Sequence, residues 1–320
     1  MGNILLSGLT QGLIWAILAL GVYLSYRVLD FADLTCEGCI TLGASVAAML
    51  IYKSINPFLA ILISFLAGCL AGIVTGVLHT KLKIPPILAG ILTMISLYSI
   101  NIHIMSFASG TEGTANLSLL KFSDGTLYSQ VRSLLKSFLG NNATKMMASS
   151  IVGAVSCLIV MGILYWFFGT ELGSAIRATG NNEKMCRAQG IDTDFTKIVD
   201  LALSNGLIAL SGALLCQYQG YSDVNMGVGA IVIGLASIII GEAIFSRCKN
   251  FFLALTGIVV GAIIYRMVVA IVIYSGMPST DLKIMTAAVV VVALVLTNFA
   301  NKFKKTSGKK ANKKGGTENV

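Results

Sequence analysis

The sequence predicts an all-α polytopic integral membrane protein with about nine transmembrane helices, from its composition and its apolar runs. Of the 320 residues, 56% are hydrophobic and only 12% are charged, and the mean hydropathy is +0.83. Soluble domains carry about 25% charged residues, and a soluble chain of this length needs a charged surface. The composition therefore excludes a soluble enzyme, a disordered chain and a disulfide-rich secreted domain.

The apolar runs give the second observation, since about 20 residues are needed to cross about 30 Å of hydrocarbon. Allowing errors of about three residues at each boundary, we expect about eight to ten spans. The nine runs cover residues 4–26, 35–52, 57–79, 85–107, 147–169, 198–218, 225–245, 251–274 and 284–300. The run over 35–52 is short and is interrupted by polar residues.

Lysine and arginine predict the orientation of these spans, because cytoplasmic loops carry the excess of both. With the C-terminus inside, 16 of them lie in inside segments and 6 in outside segments, and Arg266 lies within a span. The largest inside block is the tail 301–320, whose seven lysines suit an anionic lipid surface. The net charge of +9 thus indicates a bilayer partner and a cytoplasmic C-terminus, with no nucleic acid. No basic n-region precedes the first apolar run, so no cleavable signal peptide is expected.

Two loops are longer than simple connections need. The outer loop, 108–146, contains apolar residues at helical spacing, which predicts a short amphipathic helix on the outer leaflet or under a docked partner. These residues are Val131, Leu134, Leu135, Phe138 and Leu139. The inner loop, 170–197, predicts two short helices that are broken at Gly180-Asn181-Asn182. The second ends at Gly190, and Asp192 or Thr193 caps the next span.

Two five-residue segments match in residue type at every position, namely Phe31-Ala32-Asp33-Leu34-Thr35 and Tyr221-Ser222-Asp223-Val224-Asn225. Five predicted spans separate them, and an odd number of spans inverts the second copy across the membrane. Inverted repeats are typical of transporters, in which the substrate path lies at the repeat interface. We therefore predict an inverted repeat.

Polar residues in or near the spans are the candidates for a translocation path, because charge is costly there. They are Asp33, Glu37, Asn205, Gln217, Asp223, Glu242 and Arg266, and Asp200 also lies in the sixth span. Arg266 has two interpretations, recognition of an anionic group or a structural ion pair. The chain has no Gly-x-x-x-x-Gly-Lys-Ser/Thr phosphate loop. The pair Cys36 and Cys39 lacks the further ligands that zinc needs, so no catalytic residue, metal site or cofactor is predicted.

The inner loop carries a resemblance to a known family. Its Arg-Ala-x-Gly-Asn-Asn core at 177–182 and its Ala-Gln-Gly-Ile-Asp end at 188–192 resemble the coupling helix of ATP-binding-cassette importer permeases of the branched-chain amino acid (LivH/LivM-like) family. Residues 11–48 and 206–242 are similar to the same family. The chain is most similar to a subgroup with amino acid-type substrates. It departs from the family in having Asp33 where the Asn-Phe-Ala-His pattern has histidine.

The resemblance implies a permease domain over 1–300 that pairs with a second permease subunit, as a homodimer or a heterodimer. Cytoplasmic ATPases, which carry the ATP and Mg²⁺, would bind the coupling loop, and an extracytoplasmic binding protein would deliver a small polar solute, a branched-chain or aromatic amino acid. The coupling residues would be Glu171, Arg177, Ala178, Gly180, Asn181, Asn182, Arg187 and Gly190. It also implies a bacterial inner membrane. The alternatives are an ion-coupled secondary transporter that uses carboxylates such as Asp33 or Glu242, and a permease for a sugar or nucleoside.

Overall fold

A computed structural model describes residues 2–139, 145–245 and 250–274, together with a few residues between 284 and 295. Helices dominate the described residues. The elements are α1 (Gly2–Tyr23), a π-helix (Leu24–Val28), α2 (Thr35–Tyr52), α3 (Pro57–Thr80), α4 (Pro86–Ser109), β1 (Asn116–Ser118), a 3-10 helix (Leu120–Gly125), α5 (Leu127–Leu139), α6 (Lys145–Phe167), α7 (Glu171–Asn181), α8 (Glu183–Ala188), α9 (Thr193–Gln219), β2 (Tyr221–Asp223), α10 (Ala230–Ile244) and α11 (Phe251–Tyr274).

Seven of the described helices are long and apolar enough to cross a membrane. They correspond to α1 with its π-helical extension, α2, α3, α4, α6, α9 and α11, and α10 is a shorter apolar helix. This confirms the predicted class, an all-α polytopic membrane protein. The ninth predicted span, 284–300, lies mostly outside the described residues, and the tail 301–320 lies entirely outside them.

Helix α9 forms the centre of the bundle, with α1, α2 and α3 packed around it. Its contact with α2 is close because glycine faces backbone in both directions. A Cβ at Gly43 would overlap the carbonyl of Ala209, and a Cβ at Gly212 would overlap that of Ile40. Small residues of this kind let membrane helices approach each other to backbone distance.

The connection from α1 to α2 is not a simple loop. The last turn of α1 continues as a π-helix, residues 29–34 are not helical, and Asp30 has a φ of +58°. The backbone N–H of Thr35, the first residue of α2, donates to Asp33 Oδ1 at 2.9 Å, which forms an Asx turn at the start of the helix. π-Helical turns frequently occur at functional sites.

One predicted span begins later than the sequence indicated. Residues 225–245 are continuously apolar enough to predict one helix, but residues 225–229 form turns and α10 begins only at Ala230. Gly229 adopts a φ of +85°, which interrupts a right-handed helix. The prediction of a helix across 225–229 was therefore wrong, because apolarity does not report this backbone conformation.

The two ends of the bundle are built differently. The end at which α9 starts contains α7, α8 and the π-helix, and we call it the coupling end. At the other end, the sheet end, β1 pairs antiparallel with β2, and Leu117 lies opposite Ser222. Helix α5 also lies at the sheet end, and its bounds confirm the amphipathic helix predicted within 108–146.

Candidate functional site

The coupling end begins with the short helices α7 and α8. The side chain of Thr170 accepts a hydrogen bond from the N–H of Gly173 at 3.4 Å and starts α7. The side chain of Asn182 accepts from the N–H of Met185 at 3.1 Å and starts α8. The two predicted helices are thus confirmed, but the break lies at Asn182 alone. Gly180 and Asn181 remain helical because the Asn182 side chain supplies the cap at that point.

The end of this segment matches the predicted signals. Helix α8 ends at Ala188, and Gly190 adopts a φ of +82°, the left-handed conformation that glycine allows after a helix. Of the two candidate caps for α9, the structure uses Asp192, which accepts from the N–H groups of Asp194 and Phe195.

Helix α7 is packed onto the bundle through small residues. A Cβ at Gly180 would overlap the carbonyl of Val28, the last residue of the π-helix. One residue earlier, the hydroxyls of Thr179 and Thr196 lie 3.1 Å apart and link α7 to α9. Ile176 is fully buried between these contacts. A displacement of α7 must therefore displace the π-helix, α9 or both.

Charged side chains attach α8 to the start of α9. Glu183 contacts Lys197 at 2.8 Å and Arg187 at 3.0 Å, and Arg187 also contacts Asp194 at 2.9 Å. The hydrogen bond from Lys197, helped by the positive charges of Lys197 and Arg187, lowers the pKa of Glu183 below its ordinary value. Only 13% of the Lys197 side chain is exposed, so this contact is partly shielded from solvent.

The outer surface of the helix pair presents apolar side chains. Leu172 is 45% exposed and Met185 is 48% exposed, among polar residues such as Asn181 and Lys184. Beside the pair, a cavity of about 630 Å³ is lined by the ends of α3 and α9 and by the 29–31 segment. Exposed apolar side chains within a polar rim are typical of a protein-docking surface.

Inside the bundle, two of the candidate path residues meet. Asn205 Nδ2 donates to Asp33 Oδ2 at 2.6 Å and to the Leu201 carbonyl at 3.0 Å. Asp33 is 3% exposed and Asn205 is fully buried. One and a half turns earlier on α9, Asp200 is also fully buried, and neither of its carboxylate oxygens has a hydrogen-bond partner among the described residues.

The remaining candidates are distributed along the bundle. Glu37 Oε1 accepts from the N–H of Gly229 at 3.0 Å, so it caps the turn before α10. Gln217 Oε1 accepts from the N–H of Leu127 at 2.9 Å and holds the start of α5 against α9. Asp223 Oδ2 accepts from Asn116 Nδ2 at 3.0 Å across the two-stranded sheet. These three contacts join segments far apart in sequence and do not form one cluster.

The last two candidates have partners that the sequence did not identify. Glu242 pairs with Arg27 at 2.8 Å, at the coupling end. The guanidinium carbon of Arg266 lies 3.9 Å from the centroid of the Trp15 ring. Among the described residues no acidic side chain pairs with Arg266, and both interpretations of this arginine, recognition of an anionic group and a structural ion pair, stay predictions. A cation–π contact of this geometry stabilises a desolvated arginine.

Three participants were missed in the sequence. Trp15 lies in the first predicted span and Arg27 directly follows it; both are far in sequence from their partners, and no short-range pattern joins them. Asp200 carried a signal, since it lies five residues before Asn205 in the same span. Its polarity does not make it a candidate by itself, because its burial beside Asp33 is a tertiary property.

Comparisons with known proteins agree with one another on the kind of protein. A family model described as branched-chain amino acid transport system / permease component matches residues 4–297. A tyrosine transport system permease protein of Clostridioides difficile is 40% identical over 305 residues, 95% of each chain. The ribose import permease protein RbsC of Haemophilus influenzae is 25% identical over 300 residues, 92% of this chain and 85% of its own. No solved structure matches the chain.

Proposed function

The chain belongs to the branched-chain amino acid transport system permease family, and we propose on that basis that it is the membrane-spanning subunit of an ATP-binding-cassette importer. A permease component is not itself the ATPase. The chain would translocate a small polar solute by alternating access, and a separate ATPase carrying ATP and Mg²⁺ would supply the energy.

The observation that carries this proposal is the packing of α7. Alternating access driven by a separate ATPase needs a rigid element that transmits the movement of the ATPase to the spanning helices. Helix α7 presents Leu172 to solvent near its start and packs Gly180 against the Val28 carbonyl near its end. A force applied to the exposed side is thereby transmitted to the π-helix and to the Asp33 turn behind it. The ATPase subunits are the partner that this surface suits.

An amino acid is the substrate class that the relatives favour. The tyrosine permease is much more similar to this chain than the ribose permease is, at 40% against 25% identity. We propose an aromatic amino acid first and a branched-chain one, as in the LivH/LivM-like group, second. A sugar is the remaining candidate, because the ribose permease matches 92% of this chain in sequence.

The proposal places the protein in the bacterial inner membrane with its C-terminus in the cytoplasm. The coupling end would then face the ATPases, and the sheet end, with α5, would face an extracytoplasmic binding protein. A second permease subunit completes the path. The amphipathic helix α5 and the two-stranded sheet together form the surface of the sheet end that the binding protein would contact.

The test is a pair of substitutions at one position of α7. Ala178→Pro removes the N–H that helix α7 needs at that position and disrupts the helix, whereas Ala178→Ser preserves it. In liposomes that contain the full chain, the ATPase and the ligand-loaded binding protein of its system, we expect ATP-dependent uptake of labelled tyrosine. Ala178→Pro should abolish both ATPase association and uptake, and Ala178→Ser should retain both.

Two outcomes would contradict the proposal. Uptake driven by a proton or sodium gradient in liposomes that contain this chain alone would favour a secondary transporter. ATPase association that survives Ala178→Pro, in a chain that still purifies as a folded monodisperse complex, would remove α7 from the coupling role. Uptake of labelled ribose instead of tyrosine would leave the mechanism standing and change the substrate.

A further inference from the structure

Two buried hydrogen-bond donors without acceptors lie together between α1 and α11. The guanidinium carbon of Arg266 is 3.9 Å from the centroid of the Trp15 ring, and Trp15 is 6% exposed. Arg266 Nε and Trp15 Nε1 are both buried, and neither has a hydrogen-bond partner among the described residues. The ring does not satisfy the arginine, because a cation–π contact uses the face of the guanidinium and its N–H groups lie in the plane. Since buried donors without acceptors cost free energy, this pair favours a ligand that supplies acceptors.

The side chain of Arg266 extends away from the nearer end of its helix. Arg266 lies eight residues before Tyr274, about 12 Å from the sheet end of α11, and a long basic side chain at such a place commonly extends to the interface. A Cβ at Gly8 would lie 3.7 Å from the Arg266 carbonyl oxygen. Trp15 lies seven residues beyond Gly8 on α1, about 10 Å farther from the sheet end. The guanidinium therefore extends deeper into the bundle, away from the phosphates of the lipids.

A stripe of side chains on α1 leads to this pair from the sheet end. Ser7, Gln11 and Trp15 follow one another at spacings of four residues, which places them on one side of the helix. The Ser7 hydroxyl lies 3.4 Å from the hydroxyl of Tyr218, in the last turn of α9, so the stripe begins at the sheet end. Ser7, Gln11 and Arg266 are only partly buried. Because polar groups at this depth face protein or water and not lipid, the stripe suits a water-filled path that reaches the pair.

We propose that Arg266 and Trp15 bind the carboxylate of an amino acid as it crosses the membrane. A carboxylate has two oxygens in one plane, which accept parallel N–H groups from a guanidinium, and it has capacity left for the indole N–H. It also supplies the negative charge that no acidic side chain among the described residues brings to Arg266. The inference rests on the proposed function and narrows its substrate class. A neutral sugar has no group that compensates the charge of Arg266, so the site favours the amino acid.

The position of the two residues also suits a site that must release its ligand. Trp15 lies on α1, whose last turn continues as the π-helix that packs against Gly180 of α7, whereas Arg266 lies on α11. A movement that α7 transmits to the π-helix therefore changes the position of the indole relative to the guanidinium. Binding does not have to break an ion pair first, because the arginine has none with the described residues.

The indole of Trp15 provides the readout that tests this site. The chain has two tryptophans, and Trp166 is 72% exposed near the end of α6, so Trp166→Phe leaves Trp15 as the only emitter without touching the site. The full chain with Trp166→Phe is reconstituted in liposomes and titrated with phenylalanine. The control ligand is phenylalaninol, which has the same ring and amine but no carboxylate. We expect phenylalanine to shift the Trp15 emission saturably, because a carboxylate neutralises the cation over the ring, and phenylalaninol to cause no shift.

Substitutions in the same background identify the residue that binds the carboxylate. Arg266→Gln removes the charge and should abolish the response to phenylalanine. Arg266→Lys keeps the charge without the planar fork and should weaken the response. Lys53→Gln is the matched control, because the Lys53 ammonium lies 3.8 Å from the centroid of another ring, that of Phe107, and its loss should leave the response unchanged.

Three results would overturn the inference. Equal shifts with phenylalanine and phenylalaninol, or no shift with either, would show that the pair does not recognise a carboxylate, and neither result requires a variant of Arg266 to fold. A response that survives Arg266→Gln would remove the arginine from the site. ATP-dependent uptake is measured in liposomes that also contain the ATPase and the binding protein. A response without such uptake refutes only the importer function, and such uptake without a response refutes only the site.

Discussion

The Asp33 turn and the Asp223 turn have the same local geometry in different surroundings. In each, the aspartate Oδ1 accepts a hydrogen bond from the N–H two residues later, at 2.9 Å for Thr35 and 2.7 Å for Asn225. Asp33 is buried against the middle of α9 and also bonds Asn205, whereas the partly exposed Asp223 lies beyond the end of α9 and bonds Asn116 across the two-stranded sheet.

This difference separates what a short sequence determines from what the fold determines. The aromatic-small-Asp pattern specifies a side-chain cap on the following backbone in both places. Whether the second carboxylate oxygen faces the core or solvent depends on α9. The middle of α9 lies beside the Asp33 turn, whereas α9 ends before the Asp223 turn. The two carboxylates should therefore differ in stability contribution far more than in conformation.

The largest expected effect is at Asp33. Asp33→Ala leaves the buried amide of Asn205 with one acceptor fewer and removes the acceptor of the Thr35 N–H at the start of α2, which should lower the unfolding free energy by about 2–3 kcal/mol. The measurement is unfolding in mixed micelles by titration with sodium dodecyl sulfate. Ser45→Ala, a smaller change at another buried polar residue of α2, is the control. If Asp33→Ala lowers the unfolding free energy no more than Ser45→Ala does, burial does not increase the contribution of the Asp33 hydrogen bonds to stability.

Most of the fold was predictable because it follows from local properties. Apolar length identified the described spans, and helical spacing identified α5. Cap residues identified the end of α8 and the start of α9. What failed was the turn at 225–229, where the φ of Gly229 decides the structure. The π-helix at the end of α1 was likewise unexpected, since nothing in Leu24–Val28 distinguishes it from an ordinary last turn.

The candidate site was less predictable than the fold, because its contacts join distant segments. The sequence identified Asp33 and Asn205 as polar residues in spans, but their direct hydrogen bond depends on how α2 begins beside α9. For Arg266 the sequence indicates an anion or an acid as partner, and the structure adds a contact with the Trp15 ring that the sequence does not indicate. A single chain carries no pattern that pairs residues 251 positions apart.

An intermediate effect is expected at Glu183, at the coupling end behind the Asp33 turn. Glu183→Gln removes its ion pair with Lys197 and should lower the unfolding free energy by about 1 kcal/mol at pH 7. The folded-state pKa of Glu183 is lowered, so the contribution is complete above the ordinary value of about 4.3 and disappears as the pH falls through the lowered one. The difference between the unmodified chain and Glu183→Gln should therefore shrink between about pH 5 and pH 3. A difference that stays constant or grows on acidification would contradict the assigned ion pair.

The smallest effect is expected at Asp223. Asp223→Ala removes the same carboxylate as Asp33→Ala, with the same local turn, but water can replace the lost acceptor at this partly exposed position. We expect a loss of at most about 0.5 kcal/mol in the same micelle titration, and still less for Asp223→Asn, which keeps one acceptor oxygen. Both variants replace an aspartate by an alanine in the same kind of turn. The difference between their losses of unfolding free energy therefore reports the effect of burial, separately from that of turn formation. Equal losses at both positions would mean that the local turn, and not the contact with α9, determines what each aspartate contributes.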